Sequence, residues 1–162
     1  MKASFSFIQV LLLCIFGTVF HSCENPMLKN PVDGIWVIDT LIYKGINYKP
    51  ALGVNAIRFD KNGESCKVPL LLEKGYYADE LTNDRFGYYE LTQHSDKEYT
   101  LKIYSVTTVF SGTHTLSFAD DTKRKALVAE LRSMDLYMVM SRLLLDYDKN
   151  RHVIRRISNE KR

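Results

Sequence analysis

The chain holds 162 residues, with 22 Lys and Arg against 19 Asp and Glu and a formal charge of +3. Charge so nearly balanced excludes a nucleic-acid binder, which carries a strongly basic face. Three cysteines are too few for a disulfide framework, so folding must rest on a hydrophobic core.

Residues 1–22 read as an export signal. Lys2 supplies the positive start, and Phe5 to Phe20 is almost wholly apolar, with Leu11-Leu12-Leu13 at its centre. The run has the length of a signal-peptide core and is short of the roughly 20 residues a spanning helix needs. The alternative is a short membrane anchor that stays in place, but no basic stop-transfer cluster follows Phe20.

The signal ends on Val19-Phe20-His21-Ser22-Cys23, which resembles a bacterial lipobox. Ser22 fits the small position before the cysteine, while Phe20 and His21 depart from the strict pattern. The resemblance implies that Cys23 is acylated and becomes the new N-terminus. Several acyl chains, at about 0.8 kcal/mol per buried methylene, would hold the protein firmly on a bilayer. A cleaved signal with a free Cys23 is the alternative. With Cys14 in the signal, Cys66 is left alone in the folded part, where it reads as a small buried strand residue. Removing residues 1–22 takes away only Lys2, leaving 21 basic and 19 acidic residues. The remaining chain of about 140 residues suffices for one domain with one core. Residues 23–33, with Pro26 and Pro31, read as an extended tether.

From Gly34 onward the pattern is strands. Gly34 to Tyr43 alternates, with Trp36, Ile38, Thr40 and Ile42 on one face and Ile35, Val37, Asp39 and Leu41 on the other. A loop over 44–54 follows. Strands are expected at 55–60 and 66–72, joined across Asn62-Gly63, a strong hairpin signal. Pro69 marks an edge or bulge. Residues 73–84 form the longest irregular stretch. Further strands are expected at 85–92, 98–105, 110–118, 125–132 and 135–144. Inward sets are Tyr99, Leu101 and Ile103; then Phe110, Gly112, His114, Leu116 and Phe118; then Leu127, Ala129 and Leu131; then Leu136, Met138, Met140 and Arg142. The end, 146–162, is a basic tail with Arg151, Arg155 and Arg156, read as a short strand or a partly ordered end, with some attraction for anionic headgroups.

Eight short strands joined mainly by tight turns predict an all-β fold, an antiparallel up-and-down barrel over 34–145, since closure removes both open edges. A two-sheet β-sandwich is the alternative. In an eight-stranded barrel the last strand ends beside the start of the first. Arg142 therefore falls next to Trp36, on the inward parity of both strands, and an indole is the best face for a guanidinium. Gly34-x-Trp36, the meander and Arg142 resemble the lipocalin-like, calycin-type small lipoproteins of Gram-negative bacteria over residues 32–145. The resemblance implies a structural barrel end at Gly34, Trp36 and Arg142. It also implies a small apolar ligand entering opposite the Trp, and a lipid-anchored place in the cell envelope, at the outer membrane.

Little else carries chemistry. His94, His114 and His152 are well separated, with no metal-ligand spacing. No Gly-x-Ser-x-Gly elbow or phosphate loop occurs, and Glu90 and Glu130 have no visible acid–base partner. The expected protein is no enzyme and needs no cofactor or metal. Phe110, His114, Leu116, Met138 and Met140, with Met134 nearby, either line a pocket for a small apolar ligand or fill the barrel. A filled barrel would make a structural or interaction module, contacting another envelope protein through its loops.

Overall fold

Strand β1 runs from Gly34 to Tyr43 and sets the geometry of the rest. Its β-branched and aromatic residues suit a pleated, half-buried surface. Trp36 and Ile38 point inward as their alternation predicts, but the next buried residue is Leu41, not Thr40. The register against the last strand slips between Ile38 and Thr40, which leaves Asp39 as the extra residue of a β-bulge. One extra residue exchanges the two faces of everything after it. Thr40 and Ile42 therefore leave the inward set, and Leu41 joins it.

The computed structural model describes residues 30–60, 64–72 and 85–158. The expected signal, Cys23, most of the tether, the hairpin tip at 61–63 and the loop 73–84 lie outside these residues. The described strands are β1, β2 (Ile46–Asn47), β3 (Ala56–Phe59), β4 (Ser65–Val68), β5 (Arg85–Gln93), β6 (Tyr99–Ser105), β7 (Gly112–Asp121), β8 (Ala126–Arg132) and β9 (Leu136–Leu143). They form one antiparallel sheet in the order β2-β1-β3-β4-β5-β6-β7-β8-β9. Pairing of β1 with β9 over Val37–Tyr43 closes the eight long strands into a barrel, which removes the sandwich alternative. The tiny β2 folds back on β1 through Lys44-Gly45, both at positive φ (49° and 77°), as a right-twisted two-residue hairpin turn requires.

Several ends differ from the expected ones. β4 stops at Val68 and does not reach Leu72. Pro69 follows, with no N–H to give to a ladder, and only an isolated Leu52–Leu71 bridge continues the pairing. β7 begins at Gly112, because 107–110 forms a turn closed by Phe110 N–H to the Thr107 carbonyl (3.1 Å). It then runs on to Asp121. The shift is along the strand, so the inward parity His114, Leu116, Phe118 stays as expected. Met134, grouped with the pocket lining by its type, is 98 % exposed at the tip of the β8–β9 turn.

The tail over 147–157 is a helix, α1 (Tyr147–Ile157), not a short strand or a partly ordered end. Val153, Ile154 and Ile157 fall on one side of it and are buried, and Ile154 and Ile157 join the barrel's core. Arg155 and Arg156 in the last turn complement the negative end of the helix dipole. Among the described residues no helix is long and apolar enough to cross a membrane.

Two ends of the barrel result. At one, β1 starts, β9 finishes, and α1 packs beside β7, with Ser158 bridged to Phe118. At the other lie the β1–β3, β6–β7 and β8–β9 connections, with the end of β4 and the start of β5. They are called the capped end and the mouth.

Candidate functional site

The capped end is built on one cation. Arg142 leaves β9 with its guanidinium carbon 4.7 Å from the centroid of the Trp36 ring. It donates to the main-chain carbonyls of Asp33 and, at 3.3 Å, Pro31. The Trp36 indole N–H donates to the Val32 carbonyl at 2.6 Å. The segment from Asn30 to Asp33 is thus strapped to the barrel end by donors from the two strands of the β1–β9 seam. Tyr89 adds a further tie: Asn30 donates to its hydroxyl at 2.9 Å, and that hydroxyl lies 3.2 Å from both the Asp33 carboxylate and the Asp60 carbonyl. Burial among apolar groups pushes Arg142 down to about 10, against the attraction of Asp33. Gly34 sits at φ +108°, and a Cβ there would come within 3.3 Å of the guanidinium. The three residues Gly34, Trp36 and Arg142 are therefore one packed unit. Sequence reasoning missed Tyr89 and the carbonyls of the strap, which no side-chain pattern announces.

Above this cap, the capped half of the barrel is filled by rings. Trp36 and Tyr99 both lean on Phe118, at centroid distances of 6.1 and 5.4 Å, and Phe59 meets Tyr89 at 5.0 Å. Cross-strand register then places Tyr99, Leu116, Leu131, Met138 and Leu41 in one row around the wall. Phe118, Ala129, Met140 and Ile38 make the row below it. Phe110, Leu116, Met138 and Met140, expected as ligand-lining residues, all lie in the single hydrophobic core.

His114 is one inward step from Leu116 toward the mouth, opposite Leu101 on β6. It is 2 % exposed. Its Nε2 lies 3.2 Å from the Phe110 carbonyl, which can only accept, so Nε2 carries the proton. The same ring's Nδ1 is then a bare acceptor, and among the described residues it has no hydrogen-bond partner. Burial holds the imidazole below its ordinary range, so it is neutral at pH 7. A buried acceptor left unpaired costs about 1–3 kcal/mol, and a donor delivered to it recovers that cost.

The remaining candidates are quieter. His94 is exposed in a turn, 2.8 Å from the Thr100 hydroxyl, and His152 is exposed on α1. Cys66 is buried in β4, and burial pushes its thiol up to about 11, which keeps it protonated and unreactive. Glu90 accepts from the Tyr104 hydroxyl at 3.0 Å, and Glu130 pairs with Arg132. Among the described residues no group of His, Cys, Asp and Glu could hold a metal ion.

One feature of the outer wall escaped the sequence reading. Phe86, Tyr88 and Tyr104 on β5 and β6, and Val106 just past the end of β6, are exposed, with Tyr88 directly opposite Tyr104. Lys67 and Lys102 lie over the Phe86 and Tyr104 rings at 4.8 and 4.6 Å. Compared with protein-family models, with curated proteins and with solved structures, the chain finds no match in any of the three.

Proposed function

We propose that this protein is a lipid-anchored envelope protein, held through Cys23 at the outer membrane. In this reading its lipocalin-like barrel takes up a small apolar molecule through the mouth and catalyses no reaction. The observation that carries the ligand is His114. A neutral, buried imidazole with a free acceptor nitrogen, in an otherwise apolar interior on the mouth side, suits an apolar ligand bearing one O–H or N–H donor. The anchor is supported by the apolar run Phe5–Phe20 followed by Ser22-Cys23.

Native mass spectrometry of the protein isolated from its own host tests the ligand. A co-purified small apolar molecule, lost in His114→Phe, is the expected result; a clean apo mass from host membranes would sink it. Metabolic labelling with an alkynyl fatty acid tests the anchor: wild type takes the label and Cys23→Ala does not.

A second reading, a filled barrel that binds another envelope protein, is favoured by the outer wall. Phe86 and Tyr88 are each 68 % exposed and adjoin Tyr104 and Val106, a cluster of the kind that marks interaction surfaces. A stable protein partner in the same spectra, lost in Phe86→Ser/Tyr88→Ser, selects it.

A further inference from the structure

Three features meet at the capped end. The first is apolar and exposed. Leu145 is fully exposed and Leu143 and Ile35 largely so, and continuing the Val37–Ser141 register sets Ile35 opposite Leu143 on the outer face. The second is charge. Helix α1 carries Lys149, Arg151, Arg155 and Arg156; its Asp148 is engaged by Lys125 at 3.2 Å and its N-cap Asp146 by Lys149 at 3.4 Å, which leaves Arg151, Arg155 and Arg156 as the excess charge. All four basic side chains are exposed, because Val153, Ile154 and Ile157 turn the opposite face into the barrel. The third is the path of the chain. Asn30 is tied to this end through Tyr89, and Cys23 lies seven residues before it. Seven residues reach at most about 25 Å when fully extended.

We infer that the capped end of the barrel rests on an anionic bilayer surface, with α1 on the headgroups, Leu143 and Leu145 at the lipid boundary, and the mouth turned to the aqueous side. The inference rests on acylation of Cys23 as proposed above. Charge complementarity selects the occupant: a cationic helix face beside exposed leucines fits anionic headgroups over acyl chains, and the short tether holds that end close to them. The tail, read from sequence as a weak attraction for headgroups, becomes one side of a two-part contact whose other side is the β1–β9 wall.

The geometry is read on the acylated protein reconstituted in vesicles of phosphatidylcholine, alone or mixed with phosphatidylglycerol. An environment-sensitive dye is placed at Leu145→Cys or, at the mouth, Met134→Cys; buried Cys66 does not compete for it. On anionic vesicles the dye at 145 shifts to the blue and is quenched by nitroxide lipids, while the dye at 134 stays in water. Replacing Arg151 and Arg155 by Gln lowers the docking equilibrium constant about fivefold per residue, and raising salt lowers it in the same sense. Equal signals at 145 and 134, or equal signals on neutral and anionic vesicles, overturn the inference. The mass of the purified chain reports acylation separately. If Cys23 carries no lipid, the anchor fails, and the shift at 145 in an unacylated chain with Cys23→Ser, which leaves 145 as the thiol open to the dye, still decides whether this face binds lipid.

Discussion

Replacing Arg142 by Ala removes three interactions at once. The stacked guanidinium over Trp36 contributes about 0.5–2 kcal/mol. The carbonyls of Pro31 and Asp33 lose a charged donor, and a buried unpaired acceptor costs about 1–3 kcal/mol. Against this stands the desolvation that pushes Arg142 down to about 10, so its own burial already offsets part of the gain. The balance is a loss of about 2–4 kcal/mol, in the range of a broken buried network. For a domain of this size about 4 °C of melting temperature goes with each kcal/mol, so the midpoint falls by about 8–16 °C. Circular dichroism reads the midpoint. Trp36 is the sole tryptophan, so its emission reports the same site directly. It should shift to the red and become open to acrylamide once the strap loosens. Arg142→Lys should recover part of the stability, since an ammonium neither stacks as a plane nor reaches two carbonyls as a fork. An Arg142→Ala protein with unchanged midpoint and unchanged emission refutes the clasp as an energetic unit.

Gly34→Ala should destabilise by about 1–3 kcal/mol in the same melts, because the backbone sits at positive φ and the new methyl meets Arg142 at 3.3 Å. The bulge at Asp39 is tested by neighbours: Leu41→Ala should cost about 2–5 kcal/mol, and Ile42→Ala less than about 1 kcal/mol; the reverse order means an unbroken strand. For His114 the folded imidazole titrates below its ordinary 6.5. Its contribution to stability is therefore complete above that pH and is lost as the pH falls, because the unfolded chain takes up the proton first. Melting midpoints between pH 7.5 and 5 should fall less steeply in His114→Leu than in wild type.

The barrel was legible because its inward parity survives errors in strand ends. β7 starts two residues later than its pattern suggests, yet His114, Leu116 and Phe118 stay inward, since a shift along the strand does not exchange faces. A bulge does exchange them, and nothing around Asp39 announces one: Leu41 and Ile42 are both apolar and fit either side. The clasp could be foreseen as far as two side chains carried it, from the antiparallel closure and the parity of Arg142. Its carbonyl acceptors could not, because backbone groups have no residue type. Helix α1 was missed because charged residues dominate it. Val153, Ile154 and Ile157 do have helical spacing, but three apolar residues make a stripe too narrow to stand out. Phe86 and Tyr88 look like core by type, whereas the smaller Gly87 and the buried Tyr89 hold the inward parity of β5.

The seam between β1 and β9 constrains the order in which the molecule assembles. Strands β5 to β9 each pair with their sequence neighbours, so loop closure there is cheap and the hairpins form early. β1 must find a partner more than a hundred residues away, as the Val37–Ser141 pair shows. No part of that seam can form before β9 is made. Until β1 and β9 pair, Ile38 and Leu41 on one edge and Met138 and Met140 on the other lack their full cover, and a protein stalled before its last strand presents two open sheet edges to anything nearby. The slow and vulnerable step is thus the last one, when Arg142 fastens the beginning of the fold to its end.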